Sequence, residues 1–160
     1  MIARLAPLLL LSSCGLQPLY SGGSQGAVAQ ALAGVEVAPI PGRGGWLVQN
    51  ALKDRFAALP GGSSRYRLVV ELDDKIEGFG IRRDDAITRE RRTLRARYQL
   101  TEAGTGAVLL DATAGSDAGI DVVRSEYATI AAENTALERL SQEVADQIVA
   151  RLALYAQRSR

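Results

Sequence analysis

Two sets of side chains in this sequence could do chemistry: a single cysteine near the start and a crowded run of arginines near the middle. Cys14 closes the apolar run 5–11 through Leu11-Ser12-Ser13, and one basic residue, Arg4, precedes that run. A basic start, a short apolar stretch and small residues before the cut describe an export signal. An aliphatic residue three places before a cysteine, then two small residues, looks like a bacterial lipobox. The chemistry at such a cysteine is alkylation of the thiol by a diacylglycerol and acylation of the new N-terminus. Each buried methylene contributes about 0.8 kcal/mol and stable anchoring takes more than one chain, which a triacylated Cys14 supplies.

The arginines lie between positions 82 and 97, where seven of them stand against Asp84, Asp85 and Glu90. Only Lys53 and Lys75 are lysines. Guanidinium groups take phosphate or carboxylate in a bidentate fork that an ammonium cannot match. Arg82, Arg83, Arg89, Arg91, Arg95 and Arg97 are therefore candidates for recognising an anion. The other reading of such a row is a solvated strand face that discourages edge pairing.

Other chemistry is poorly supplied. With no histidine in the 160 residues, Ser-His and Cys-His arrangements are absent, and lipidation uses the one thiol. Asp73-Asp74 and Asp84-Asp85 could hold a hard cation, but neighbours on a strand point to opposite faces, so they read as solvated turn carboxylates. No catalytic residue, metal or cofactor is expected beyond the acyl groups on Cys14. The formal charge of +1 falls to zero once Arg4 is removed, and nothing in the composition suggests nucleic acid.

The elements that position these groups follow from periodicity. Residues 21–33, rich in Gly, Ser, Ala and Gln, read as a tether. Residues 35–38 alternate and stop at Pro39, which predicts a short strand. Val48, Leu52, Phe56 and Leu59 are spaced as a helix over 46–59. Tyr66, Leu68, Val70 and Leu72 share one parity of a strand that ends in a turn near Gly78-Phe79-Gly80. Over 87–100 the even positions Leu94, Ala96, Tyr98 and Leu100 suit a core, and the odd positions place Arg89, Arg91, Arg95 and Arg97 on the other face. A hairpin turn at 102–106 leads to a last strand over 107–114, and 116–123 read as a polar link. Ser125 can cap a long helix with Tyr127, Ile130, Leu137, Val144, Ile148 and Leu152 on one stripe. Tyr127 suits a core or interface anchor.

The order β-α-β-β-β-α predicts an α+β fold: a mixed, mainly antiparallel four-stranded sheet with two amphipathic helices packed on one face. The expected organisation is a signal peptide over 1–13, a lipidated N-terminus and flexible tether over 14–34, and one domain over 35–160. The opposite sheet face stays open, as one side of an antiparallel sheet can.

The residues Cys14-Gly15-Leu16-Gln17-Pro18-Leu19-Tyr20, then Val37-Ala38-Pro39-Ile40-Pro41-Gly42-Arg43 and Leu47-Val48-Gln49-Asn50-Ala51-Leu52, resemble the alphaproteobacterial LPS-assembly lipoproteins of the LptE family. So do Ile81-Arg82-Arg83-Asp84-Asp85-Ala86-Ile87-Thr88-Arg89 and Tyr127-Ala128, and the resemblance spans nearly all of the chain after the signal. It implies a non-enzymatic lipoprotein on the periplasmic side of the outer membrane. There it would plug and help assemble a large β-barrel, LptD, and contact lipopolysaccharide during its insertion into the outer leaflet. Gly15, rather than Asp, after the cysteine fits sorting to the outer membrane. A second class stays open: a free-standing envelope lipoprotein that binds an anionic ligand or peptidoglycan without a barrel.

The anchor gives the first test. Cys14→Ala should abolish incorporation of a fatty-acid probe and leave an uncleaved or soluble precursor; unchanged labelling would refute lipidation at this site.

Overall fold

The computed structural model describes residues 27–59, 63–81 and 87–159. Cys14, Arg82, Arg83, Asp84 and Asp85 lie outside the described residues.

Period-two alternation builds the sheet. Strands β1 (Val35–Val37), β2 (Tyr66–Ile81), β3 (Ile87–Glu102) and β4 (Val108–Asp121) lie side by side in sequence order. β1 is parallel to β2, and the other two pairings are antiparallel. Leu68 and Val70 of β2 and Leu94, Ala96, Tyr98 and Leu100 of β3 are buried on one face, as their parity requires. Three helices cover that face: α1 (Ala27–Ala33), α2 (Gly42–Ala57) and α3 (Glu126–Arg158). The expected α+β architecture, mixed sheet and one-sided helix layer are all present.

α3 begins as its sequence indicates. The Ser125 hydroxyl accepts from the Ala128 amide at 3.4 Å, and Glu126 sits in the first turn where the helix dipole favours an acid. Leu137, Leu140, Val144, Ile148 and Leu152 are all but fully buried. Ser141, equally buried, donates to the Leu137 carbonyl at 2.8 Å, so its hydroxyl is not left unsatisfied. α2 and α3 are pinned by Arg55, which donates to Asp146 at 2.7 Å and to Gln142 at 3.1 Å.

Five expectations are corrected. The last part of the 14–34 tether is a helix: Ala27–Ala33 forms α1 and buries Val28, Ala29 and Leu32. Its run of alanines is a strong helix former, and that outweighs the flexibility suggested by the Gly-Ser-Gln composition before it. α2 begins at Gly42 rather than at 46. β2 does not turn at 78–80 but continues to Ile81 in unchanged register with β3, with Gly80 at φ 79°. The link over 116–123 is largely strand: β4 runs on to Asp121 and buries Ala118 and Ile120. Of the two roles expected for Tyr127, core and interface anchor, the core is excluded, since the residue is 83% exposed.

The exposed edge of β4 is guarded. The Gln147 side chain accepts from the Gly115 amide and donates to the Gly115 carbonyl, both at 3.1 Å, as a neighbouring strand would. At the other end of the helix layer, Gly45 packs so closely that a Cβ there would lie 2.5 Å from the Ile40 carbonyl oxygen, whereas at Gly44 the nearest atom is 3.6 Å away. Gly45→Ala should therefore destabilise the domain by about 1–3 kcal/mol through overpacking. Gly44→Ala should be neutral or stabilising by roughly 0.5–1 kcal/mol. Urea denaturation of the two variants checks the contrast, and equal midpoints would contradict the close approach.

Candidate functional site

The open face of the sheet carries the arginine row. Arg89, Arg91, Arg95 and Arg97 are exposed and share one parity of β3, as their spacing requires. Their neighbours were not anticipated. Arg89 meets Asp121 at 3.1 Å, Arg91 approaches Asp117 at 4.0 Å, and Arg97 meets Asp111 at 3.0 Å. Gln99 also donates to Asp111, at 2.8 Å. The Asp111 carboxyl is held below its ordinary value by the hydrogen bonds from Arg97 and then Gln99. On the other side, register sets Glu71 beside Arg97, Asp73 beside Arg95 and Glu77 beside Arg91. A cationic central strand thus runs between two acidic ones.

Arg95 stands apart, with no ion pair among the described residues. Its side chain lies across Gly115, where a Cβ would sit 2.6 Å from the arginine Cδ, so the missing side chain seats the guanidinium. Arg95 and Arg97 border a shallow hollow of about 460 Å³ with Glu71, Asp73 and Thr113. Phe79 lies beneath Arg89 and Arg91, whose guanidinium carbons are 5.9 and 5.5 Å from its ring centre. The face offers exchangeable guanidinium groups: exposed ion pairs contribute only about 0–1 kcal/mol, so an incoming anion can replace a carboxylate. Arg82 and Arg83 fall outside the described residues, so the candidates brought together are Arg89, Arg91, Arg95 and Arg97.

A second cluster escaped the sequence reading because its members sit at core-parity positions. Arg92, with a side chain only 11% exposed, grips Asp74 in a fork at 2.8 and 2.6 Å and donates to the Glu133 carbonyl at 2.9 Å. It ties β2, β3 and α3 together. Asp73 instead meets Lys75 at 2.8 Å, so the two adjacent aspartates serve opposite faces. Beside this cluster, Glu90 Oε2 is buried with no N–H donor among the described residues, and the Glu133 carboxyl is the group with which it can share a proton. Burial first, and the Glu133 carboxyl second, hold the Glu90 carboxyl above its ordinary value. The available signal was charge at a strand position whose parity marks the core: Arg92 two before Leu94, and Asp74 two after Leu72.

Among the described residues, no helix is long and apolar enough to cross a membrane. A family model described as LptE, lipopolysaccharide-assembly, matches residues 32–152. No curated protein matches the chain. Among solved structures, a candidate lipoprotein of Caulobacter crescentus CB15 is 25% identical, with a TM-score of 0.67, over 84% of this chain and 98% of that one. A minor lipoprotein of Acinetobacter baumannii shares the fold at 14% identity and a TM-score of 0.61, over 75% and 90% of the two chains. Rare lipoprotein B of Shewanella oneidensis does so at 10% identity and a TM-score of 0.60, over 78% and 96%.

Glu90 yields a test with a definite sign. A glutamate ionises near 4.5 in the unfolded chain and higher in the folded one. The folded state therefore keeps a proton that the unfolded state has lost, and this contribution to stability is full below 4.5 and declines as pH rises through the folded value. Glu90→Gln should raise the melting temperature at pH 7 and flatten the fall in stability with rising pH just above 4.5. Thermal melts across pH 4–8 measure it; an unchanged profile would show that Glu90 ionises freely.

Proposed function

The chain belongs to the LptE lipopolysaccharide-assembly family, and from that premise we propose that it is the lipoprotein subunit of the outer-membrane lipopolysaccharide translocon. In this reading Cys14 carries the acyl anchor on the periplasmic side, and the domain plugs and assists the assembly of an LptD-type β-barrel. It contacts lipopolysaccharide while that glycolipid enters the outer leaflet, and it catalyses no reaction. The carrying observation is the family match over 32–152, which includes the sheet and most of α3.

The open face supports the reading in two ways. It is too charged to be core, yet its charges are arranged in complementary strips, and outer-membrane barrels have polar interiors against which such strips can be matched. Its arginines offer forks for phosphate, and Arg95 makes no ion pair among the described residues. Arg82 and Arg83 remain candidates for the same role on their sequence alone.

One observation favours the alternative of a free-standing lipoprotein. The Arg–Asp pairs on the open face let it stay solvated without a partner. Depleting the protein from cells distinguishes the two readings. The translocon subunit should co-purify with a heat-modifiable outer-membrane barrel, and the amount of correctly assembled barrel should fall with depletion. A barrel of unchanged level and heat-modifiability would leave the free-standing lipoprotein.

A further inference from the structure

The helix layer stops short on one side of the sheet. α3 has 33 residues and α2 has 16, about 50 and 24 Å of helix. α2 starts beside α3 about a third of the way along it: Gly44 faces Leu137, and Arg43 contacts Asn134 and Glu138. Gly44 also faces Asp74 of β2, so cover from α2 ends at that row of the sheet.

Beyond that row, the register shows what is left open. Ile76, Arg92 and Ala118 stand abreast on the helix side, followed by Gly78, Glu90 and Ile120. At the β4 end of these rows, Ala118 and Ile120 are 3% and 4% exposed under α3, whereas Ile76 at the β2 end is 41% exposed. The α3 stripe that packs on α2 through Leu137 continues outward as Ile130 and Tyr127, 47% and 83% exposed. These side chains keep the apolar spacing of the stripe after the helix they would meet has ended. Large apolar side chains left exposed on one side of a domain mark a candidate interaction site.

We propose that this half of the helix-side face, which no other described element covers and which presents Ile76, Gly78, Ile130 and Tyr127, seats an apolar segment of the barrel partner that carries one basic side chain to Glu90 and Glu133. The proposal rests on the translocon reading above. The cation follows from charge complementarity. Glu90 Oε2 is buried and the Glu133 carboxyl stands beside it, the two sharing a proton and repelling each other once it is lost, while Arg92, two residues on in β3, is already taken by Asp74 and a main-chain carbonyl. A phosphate would meet two carboxyls, and an acyl chain would bury both deeper with no cation beside them, which carries a cost. A protein segment with apolar side chains flanking an arginine or lysine satisfies both surfaces.

The test uses the full-length lipoprotein co-expressed with the LptD barrel of its own organism. The readout is barrel retained per lipoprotein after a salt wash. The pair of changes Tyr127→Asp and Ile130→Asp should lower retention at least tenfold, with the circular-dichroism melt unchanged because both positions are exposed. Glu133→Lys should also lower it, and Glu133→Gln should do so less. Full retention by folded Asp and Lys variants overturns this inference and leaves the translocon reading standing. If the wild type retains no barrel, the translocon reading falls and this one with it. Variants that keep the barrel but lose binding to lipopolysaccharide micelles overturn it in favour of a lipid seat.

Discussion

Side chains alternate across a strand, and in β3 that alternation separates two incompatible surfaces over 16 residues. Leu94, Ala96, Tyr98 and Leu100 project into the helix layer while Arg89, Arg91, Arg95 and Arg97 project away from it. Register is thereby fixed, since a slip of one residue would drive arginines into the core and leucines into water. The neighbours inherit this choice: β2 and β4 pair with β3 along most of its length, so their acids meet its bases and their apolar residues join its core. α3 then covers what β3 and β4 leave apolar, and α2 packs against α3.

The charged face contributes little to stability pair by pair, because its ion pairs are exposed. Its value lies elsewhere. Acidic strips on both sides of a basic strand disfavour misaligned pairing by setting like charges opposite each other. The same arrangement keeps an open sheet face soluble and leaves its guanidinium groups available for exchange. Arg92 differs in kind: its fork to Asp74 is largely removed from water and its third hydrogen bond reaches the α3 main chain. Breaking such a pair leaves an uncompensated charge, so it resists exchange where Arg89 and Arg97 do not.

Much of this was legible because period two and period three-to-four are strong signals. The β3 parity, the Ser125 cap and the buried stripe from Leu137 to Leu152 could all be read from residue spacing. The errors in the strands have a common cause. Gly78, Gly80, Gly115 and Gly119 are turn formers by composition, yet here they continue strands because cross-strand pairing overrides local preference. Gly115 serves close approach instead, with Arg95 over it and Gln147 at its main chain. Charge pairing was invisible for a different reason: Asp111, Asp117 and Asp121 face β3 only once the length of β4 is known. The row that looked like a basic patch is a mosaic, because net charge along the sequence does not report charge across a sheet.

The Arg92–Asp74 fork also explains where the core ends. A hydrophobic layer continues as long as both sides of a row can be covered, and at the Ile76–Arg92–Ala118 row only the β4 side is. Placing an arginine there lets its stem lie on apolar neighbours while its head reaches the α3 main chain. The next position of that parity, Glu90, completes the change from leucine to charge within four residues of Leu94. The sheet nevertheless runs on beyond the row, with β2 and β3 still paired at Ile81 and Ile87. A domain built for its own stability alone has no need of paired strands that no α2 covers. Extension past the core makes physical sense where an outside surface completes the layer, and under that proposal the adjacent Glu90 and Glu133 carboxyls set the chemistry that surface must bring.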